Sequence, residues 1–276
     1  KFPGAPWGLK MACGENPKRV YGSRGGPSTR MGNIAGFRAA FADAAEYMKK
    51  RKGAQDSNKD SGGKRDLKMD SLAGAINGDI RVHNHCYRAD EMAIMLDLAK
   101  EFGFKIAAFH HGVEAYKIAD RLAAEGVCGA LWADWWGFKM ESFDGIQENI
   151  LLVDRAKGGC AIVHSDSAEG IQRLNQEAAK VMANARRIGI EVTPEHAIRW
   201  LTANPAKSIG IDGMTGTLEP GKQADVVLWN GNPFSSYALA DQVYVDGARL
   251  YDRHDPSRQA VSDFMLGQGN SPGGVR

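Results

Sequence analysis

Three stretches of this chain share one form: a short apolar run, then a residue that can bind a metal, then a segment with helical spacing. They are IRVHNHCYRADEM (80–92), FKIAAFHHGVEAYK (104–117) and GGCAIVHSDSAEG (158–170). A fourth stretch, GLKMACGENPKR (8–19), delivers Lys10 in the same way. Parallel α/β barrels gather their functional side chains at the C-terminal ends of the strands. The repeated form therefore predicts an α/β fold with a metal site at that edge.

The composition fits an ordinary globular domain, because 43% of the 276 residues are hydrophobic and 25% are charged. The net charge of +2 gives no electrostatic reason to expect nucleic acid or an anionic membrane as a partner. No apolar run approaches the roughly 20 residues of a membrane span. The chain lacks an initiator Met and a signal-peptide pattern. We therefore expect a processed or incomplete N-terminus, in a protein of either the cytoplasm or the periplasm.

The four cysteines form no CxxC pair and lie in or beside apolar runs. A disulfide framework is not expected in a chain of this size, and free cysteine is among the most buried residue types. We therefore expect buried free thiols, which favours a reducing compartment. The residues concerned are Cys13, Cys86, Cys128 and Cys160.

Strand-like and helical runs alternate, which predicts βα units and a parallel sheet. After Gly210 the pattern changes to turns and short β-runs, including a hairpin with Gly247 in its turn. The expected strands of the first part are 9–13, 78–83, 104–109, 127–132 and 160–163. The expected helices are 33–51, 90–101, 113–124, 144–156, 168–188 and 193–203. The chain is thus divided into a partial barrel (1–210), β-sandwich strands (211–266) and a flexible tail (267–276).

The segment WLTANPAKSIGI, followed by GTLEPGKQADVVLW, resembles the amidohydrolase superfamily, as do GENPKR, HCYRADEM, HHGVEAYK and HSD in the same order. The resemblance is to the branch of imidazolonepropionase-like proteins and Xaa-Pro-type dipeptidases, and runs over nearly the whole chain. It implies strands four to eight of a (β/α)8 TIM-like barrel, with a small β-sandwich piece at the C-terminus. The family's first-strand H-x-H pair does not precede Lys10. The resemblance therefore implies an N-terminally incomplete barrel that associates with a missing segment or forms a homo-oligomer.

The resemblance also implies ligands for one or two divalent ions, with zinc expected. Lys10 corresponds to a carboxylated lysine of the family, which requires a buried amine with a lowered pKa. Glu15 is the alternative to Lys10, and His83 is the alternative to His85, since both lie on one face of the strand. The implied ligands are Lys10, His85, His111 and Asp166. His110 is the alternative to His111, and His164 is expected behind the ligands.

The same resemblance assigns further roles around the expected metal. Asp166 is the expected proton acceptor, with a helix N-cap as the alternative. Tyr87 resembles a donor to the oxyanion of the reaction. Arg88 is expected to pair with a substrate carboxylate, and Trp135 and Trp136 to form the wall for an apolar or aromatic substrate.

The expected function is hydrolysis of a C–N bond in a small molecule by a metal-activated water. Candidate substrates are an amide such as an N-acyl amino acid, a cyclic amide and a dipeptide. One alternative is an incomplete or non-catalytic amidohydrolase-like binding protein. The other is a mononuclear deaminase, for which Glu114 is the test residue; otherwise Glu114 is expected to form a solvated pair with Lys117.

Overall fold

A computed structural model describes residues 2–56, 64–135 and 137–258, without the side chains of 54–56. It divides the chain into two compact units, Lys1–Thr217 and Leu218–Arg276. Trp136 and the expected tail over 267–276 lie outside the described residues.

The first unit is built on a five-stranded parallel sheet whose strands are neighbours in chain order. Its strands are β1 (Trp7–Ala12), β2 (Ile80–His85), β3 (Ile106–His110), β4 (Cys128–Leu131) and β5 (Ala161–Val163). This confirms the α/β class and the parallel sheet. All five strands run the same way, so their carboxyl ends lie along one edge.

Within the described residues, six helices connect these strands and three follow β5. They are α1 (Glu15–Tyr21), α2 (Arg30–Asp56), α3 (Leu67–Asn77), α4 (Ala89–Phe102), α5 (Ala119–Ala124), α6 (Asn149–Arg155), α7 (Leu174–Arg187), α8 (Pro194–Ala197) and α9 (Ala203–Ile209). The helix start predicted at Thr193 is confirmed, because its side chain accepts from the amide of His196 and Pro194 occupies the first turn. Every helix in the described ranges is too short or too polar to traverse a lipid bilayer.

Four predicted helices are shorter than expected. The helix expected over 168–188 is α-helical only over Leu174–Arg187, and the helix expected over 193–203 only over Pro194–Ala197.

The other two differ at their starts. The segment 113–124 contains a 3₁₀ turn (Ala115–Ile118) before α5, and the segment 144–156 becomes α-helical only at Asn149. The Asn149 side chain explains part of this difference. It donates to the carbonyl of Gly112 at 2.9 Å and accepts from the amide of Tyr116 at 2.9 Å. These bonds satisfy backbone groups of an irregular loop that a regular helix would have paired internally.

The core of the first unit lies between the sheet and its helices. The helix α4 buries Met92, Met95, Leu96 and Leu98 on one side. Small and branched side chains from three adjacent strands form a further buried cluster, made of Ala108, Cys128, Ala130, Cys160 and Ile162. Burial of these apolar surfaces is the main favourable contribution to folding.

The expectation of free thiols is wrong, because the structure pairs all four cysteines. One disulfide, Cys13–Cys86, joins the residues that follow β1 and β2, and the other, Cys128–Cys160, joins β4 to the residue before β5. The Cα atoms of the pairs are 5.3 and 4.5 Å apart, within the range that a disulfide spans. The partners are 73 and 32 residues apart in sequence and become neighbours only through strand register. Burial of the cysteines is confirmed.

The second unit contains a three-stranded antiparallel sheet, in the order β6 (Val226–Trp229), β7 (Ala240–Val245) and β8 (Ala248–Asp252). The hairpin between β7 and β8 turns through Asp246 and Gly247, with φ angles of 51° and 78°. Positive φ at both turn residues is the geometry that Asp-Gly favours in two-residue hairpins. The predicted hairpin and the small β piece are therefore present.

Candidate metal centre

Polar side chains meet at the carboxyl edge of the parallel sheet. His85 is the last residue of β2, His111 follows β3, and Asp166 lies three residues beyond β5. The backbone ladder continues past these strand ends, because the amide of His111 donates to Ala130 at 2.8 Å and that of His164 to Leu131 at 2.9 Å. Both histidines are therefore anchored to β4.

Three side chains converge closely enough to hold one metal ion: His111, His164 and Asp166. Nδ1 of His111 is 3.0 Å from Nε2 of His164, and each of these nitrogens is 3.4 and 3.3 Å, respectively, from a carboxylate oxygen of Asp166. Ligand atoms around a tetrahedral zinc with bonds of about 2.0–2.1 Å are about 3.3–3.4 Å apart. Two imidazoles and a carboxylate at these separations fit a divalent metal.

The backbone of His111 has a φ of 65°, a left-handed conformation that is uncommon for residues other than glycine. Such a conformation costs of order 1–3 kcal/mol and persists where the surrounding structure holds it. Here the amide hydrogen bond to Ala130 holds the residue, and the turn carries its ring toward His164.

Two of the four predicted ligands belong to this group, and two do not. The His85 ring lies 4.7 Å from the His111 ring between centroids, but its Nε2 is 3.0 Å from the amide nitrogen of Asn16. Lys10 lies in β1 opposite His83. Its side chain is exposed, whereas a buried lysine was expected.

His164 is the residue that the sequence reasoning undervalued. It precedes Asp166 by two residues, a spacing that brings side chains to the same side of an extended chain. The HSD motif carried this signal. The alternatives His83 and His110 form a second pair, with Nδ1 and Nε2 3.1 Å apart.

Burial keeps the histidines of this edge neutral. It lowers the pKa of His85 to about 4, of His110 to about 3 and of His111 to about 2, and the positive charge of Lys10 adds to each shift. Burial likewise lowers the pKa of His164, against the opposing charge of Asp166. Neutral imidazole is the form that binds a metal.

The amine of Lys10 is also perturbed. Partial burial lowers its pKa, and the negative charge of Asp166 opposes that shift. The direction is the one that formation of a carboxylated lysine requires, because only the neutral amine reacts.

Aromatic rings form one wall of the site. The Tyr87 ring packs edge-on to His85 at 4.8 Å, and the Trp132 ring lies 5.0 Å from His111 and 5.5 Å from Trp135. Burial, followed by the charge of the nearby Glu141, raises the pKa of Tyr87, which keeps its hydroxyl protonated. A cavity of about 10 Å³ lies beside His111, Trp132 and Trp135.

Two further predicted side chains have other partners. Arg88 donates from Nε to Asp90 at 2.9 Å, so its guanidinium group is already paired with a carboxylate at the start of α4. Glu114 is buried and accepts from the amide of Ala89 at 2.8 Å. The expected solvated pair with Lys117 is therefore corrected: the ion pair exists at 3.2 Å, but the carboxylate is buried against α4.

An α/β fold with histidines and a carboxylate at the carboxyl edge of a parallel sheet is typical of enzymes that bind a divalent metal. The model of the Amidohydrolase family matches residues 144–252. Amidohydrolase tasK of Hapsidospora irregularis is 33% identical over 263 residues, which are 88% of this chain and 26% of that protein. Imidazolonepropionase of Shewanella oneidensis is 27% identical over 179 residues, which are 58% of this chain and 43% of that protein.

Among solved structures, an amidohydrolase from Thermotoga maritima MSB8 superimposes with a TM-score of 0.78 at 36% identity, over 89% of this chain and 63% of that one. The chain thus spans less than two thirds of the length of each of these relatives, and only about a quarter of amidohydrolase tasK. The chain is therefore similar to the amidohydrolase family over most of its length, which confirms the resemblance of its motifs.

Proposed function

We propose that this protein is a metal-dependent hydrolase that cleaves a C–N bond in a small molecule, namely an amide, a cyclic amide or a dipeptide. The observation that carries the proposal is the convergence of His111, His164 and Asp166 at the carboxyl edge of the sheet. The amidohydrolase relatives support the reaction class, and the imidazolonepropionase relative supports a cyclic substrate as one candidate.

The proposed metal is zinc, held by the two histidines and Asp166. His85 and a carboxylated Lys10 remain the proposed ligands of a fuller or dinuclear set. A divalent metal at this position lowers the pKa of water toward about 7, which makes hydroxide available at neutral pH.

The side chains of the chain supply the remaining chemistry. Asp166 has a half-exposed carboxylate, so it can accept a proton from water and pass it to the leaving nitrogen. Tyr87 keeps its proton and can donate to the oxyanion that develops on the scissile carbonyl. Trp132 and Trp135 offer an apolar wall to the substrate, as proposed for Trp136 too. Arg88 would have to leave Asp90 to bind a substrate carboxylate.

We also propose that the parallel sheet forms strands four to eight of a (β/α)8 barrel. The chain order of its strands and the likeness to the Thermotoga maritima amidohydrolase support this. Within the described residues, β1 and β5 each have one strand neighbour. Their open edges support association with a further strand-bearing segment or with a second copy.

The contacts of Glu114 support the hydrolase over the deaminase alternative. A deaminase would use this carboxylate for proton transfer, but here it accepts from Ala89 and pairs with Lys117. The Glu114 carboxylate therefore holds the start of α4 against the loop after β3.

Elemental analysis of the purified chain, with and without bicarbonate, tests the proposal. We expect about one zinc per chain, turnover in a screen of N-acyl amino acids, cyclic amides and dipeptides, and loss of both on chelation. A chain that binds no metal from excess zinc and turns over none of these substrates would contradict it and favour the non-catalytic alternative.

A further inference from the structure

A series of polar contacts links three segments at the carboxyl edge of the sheet. Asn16 Nδ2 is 3.0 Å from His85 Nε2, and the Lys139 ammonium donates to Asn16 Oδ1 at 3.4 Å. Lys139 also pairs with Glu141 at 3.2 Å, and Glu141 accepts from the amide of Glu15 at 2.8 Å. The segment 137–142, which follows β4, is thereby connected to the first turn of α1 and to the end of β2.

The chemistry of lysine fixes the direction of the hydrogen bonds that run from Lys139 through Asn16 to His85. An ammonium group only donates, so the Asn16 atom that faces Lys139 is the amide oxygen. The amide nitrogen of Asn16 consequently faces His85, and it too only donates. His85 Nε2 must accept, so in a neutral ring the proton is on Nδ1. The contacts thus define the tautomer of His85.

Buried surroundings hold Lys139 in this position. Its ammonium lies 4.1 Å from the centre of the Tyr87 ring, a favourable cation–π position. Its carboxylate partner Glu141 has a side chain that is only 1% exposed. A Cβ atom on Gly14, whose φ is 81°, would lie 2.6 Å from a Glu141 oxygen, so only glycine leaves room for this carboxylate.

We propose that Asn16, oriented by Lys139 and Glu141, is a positioning residue that fixes His85 as the Nδ1–H tautomer. The nitrogen of His85 that retains a lone pair is then Nε2, which Asn16 occupies. A divalent metal and Asn16 therefore compete for the same atom. The relevance of this tautomer to catalysis rests on the proposed function, whereas the assignment of the tautomer rests on the contacts alone.

Nitrogen-15 NMR of the histidine rings in metal-free protein near pH 7.5 tests the proposal, with the His85 signals assigned by their loss in His85→Gln. We expect Nδ1 of His85 to be protonated and Nε2 to be unprotonated. Asn16→Asp replaces the donor by an acceptor of the same shape, so we expect the proton to move to Nε2. Lys139→Met removes the group that orients the amide, and we expect a mixture of tautomers.

The matched control is Lys100→Met, which removes an exposed lysine of α4 and should leave the His85 signals unchanged. An Nε2–H tautomer in the unmodified chain, or no change in either variant, would overturn the proposal. If Asn16→Asp does not fold, the Lys139→Met spectrum decides alone. Absence of zinc binding or turnover in the unmodified chain would contradict the proposed function and leave this result standing.

Discussion

Asp166 is half exposed on one side and contacts two imidazole nitrogens on the other. These contacts give it two proposed tasks, metal binding and proton transfer. Asp166→Asn keeps the size of the side chain but removes its charge. We expect kcat/KM for the best substrate of the screen to fall at least about 10²-fold, the lower range for loss of a general base.

The matched control for this variant is Asp43→Asn, an exposed carboxylate on α2. It should retain full activity. Circular dichroism should show that both variants fold. Full activity of Asp166→Asn would refute its role.

The second expectation at the residue scale separates His164 from His85. The geometry places His164 in the candidate ligand group, whereas the family resemblance favours His85. Zinc titrations of His164→Ala and His85→Ala should differ. We expect His164→Ala to lose more affinity than the roughly 10–100-fold that removal of an outer contact costs, and His85→Ala to stay within that range.

His254→Ala provides the control, because this side chain is 72% exposed in the second unit. Its zinc affinity should match that of the unmodified chain. The reverse order of His164 and His85 would restore His85 as the ligand that the motif predicts.

At the scale of elements, the carboxylate of Glu114 connects the loop after β3 to the start of α4. Glu114→Ala leaves the buried amide of Ala89 without its acceptor. We expect the free energy of unfolding to fall by about 1–3 kcal/mol. Urea denaturation measures this loss, with Glu191→Ala as the control at an exposed carboxylate. Unchanged stability with lost activity would instead support the deaminase alternative.

The elements could be predicted from the sequence where local pattern determines them. Apolar runs located all five parallel strands, and Gly247 located the turn of the hairpin. Helix lengths near Asn149 could not be predicted, since a side chain from a distant segment shapes the loop. Contacts between residues of different strands could not be predicted from the sequence either. Asn16 meets His85 across 69 residues, and the cysteines pair only through strand register.

The residues of the candidate site could likewise be predicted where a local pattern points to them, and not where contacts between distant segments determine them. His111 and Asp166 were found because strand ends and motif order point to them. The HSD motif points to His164, but the distance of 3.0 Å between its ring and that of His111 depends on the packing of two strand ends. Lys139 was missed because nothing in its segment shows that it lies over the Tyr87 ring.

For the whole molecule, buried neutral histidines should make stability depend on pH. An unfolded histidine titrates near 6.5, whereas burial lowers the pKa of His85 to about 4 and of His111 to about 2. Between these values the unfolded chain binds protons that the folded chain does not. The free energy of unfolding should therefore fall below about pH 6.5, by up to about 1.4 kcal/mol per pH unit for each histidine.

Urea midpoints of the metal-free protein between pH 7.5 and 5 measure this dependence. Replacing both His85 and His111 by Gln should make the dependence shallower, because the other buried histidines remain, while His254→Gln should leave it unchanged. A midpoint that is constant over this range would contradict the expected dependence. The range stays above the pKa of ordinary carboxylates, so the histidines dominate the dependence.

The strand β4 carries none of the three candidate ligands, yet its carbonyls at Ala130 and Leu131 hold the amides of His111 and His164. It thus sets the distance between the two rings. A Cβ on Gly129 would lie 3.2 Å from the Leu131 side chain, so that side chain would have to move by a few tenths of an ångström. Among diverging relatives, residues of β4 should covary with the identity of the bound metal, although none of them contacts it.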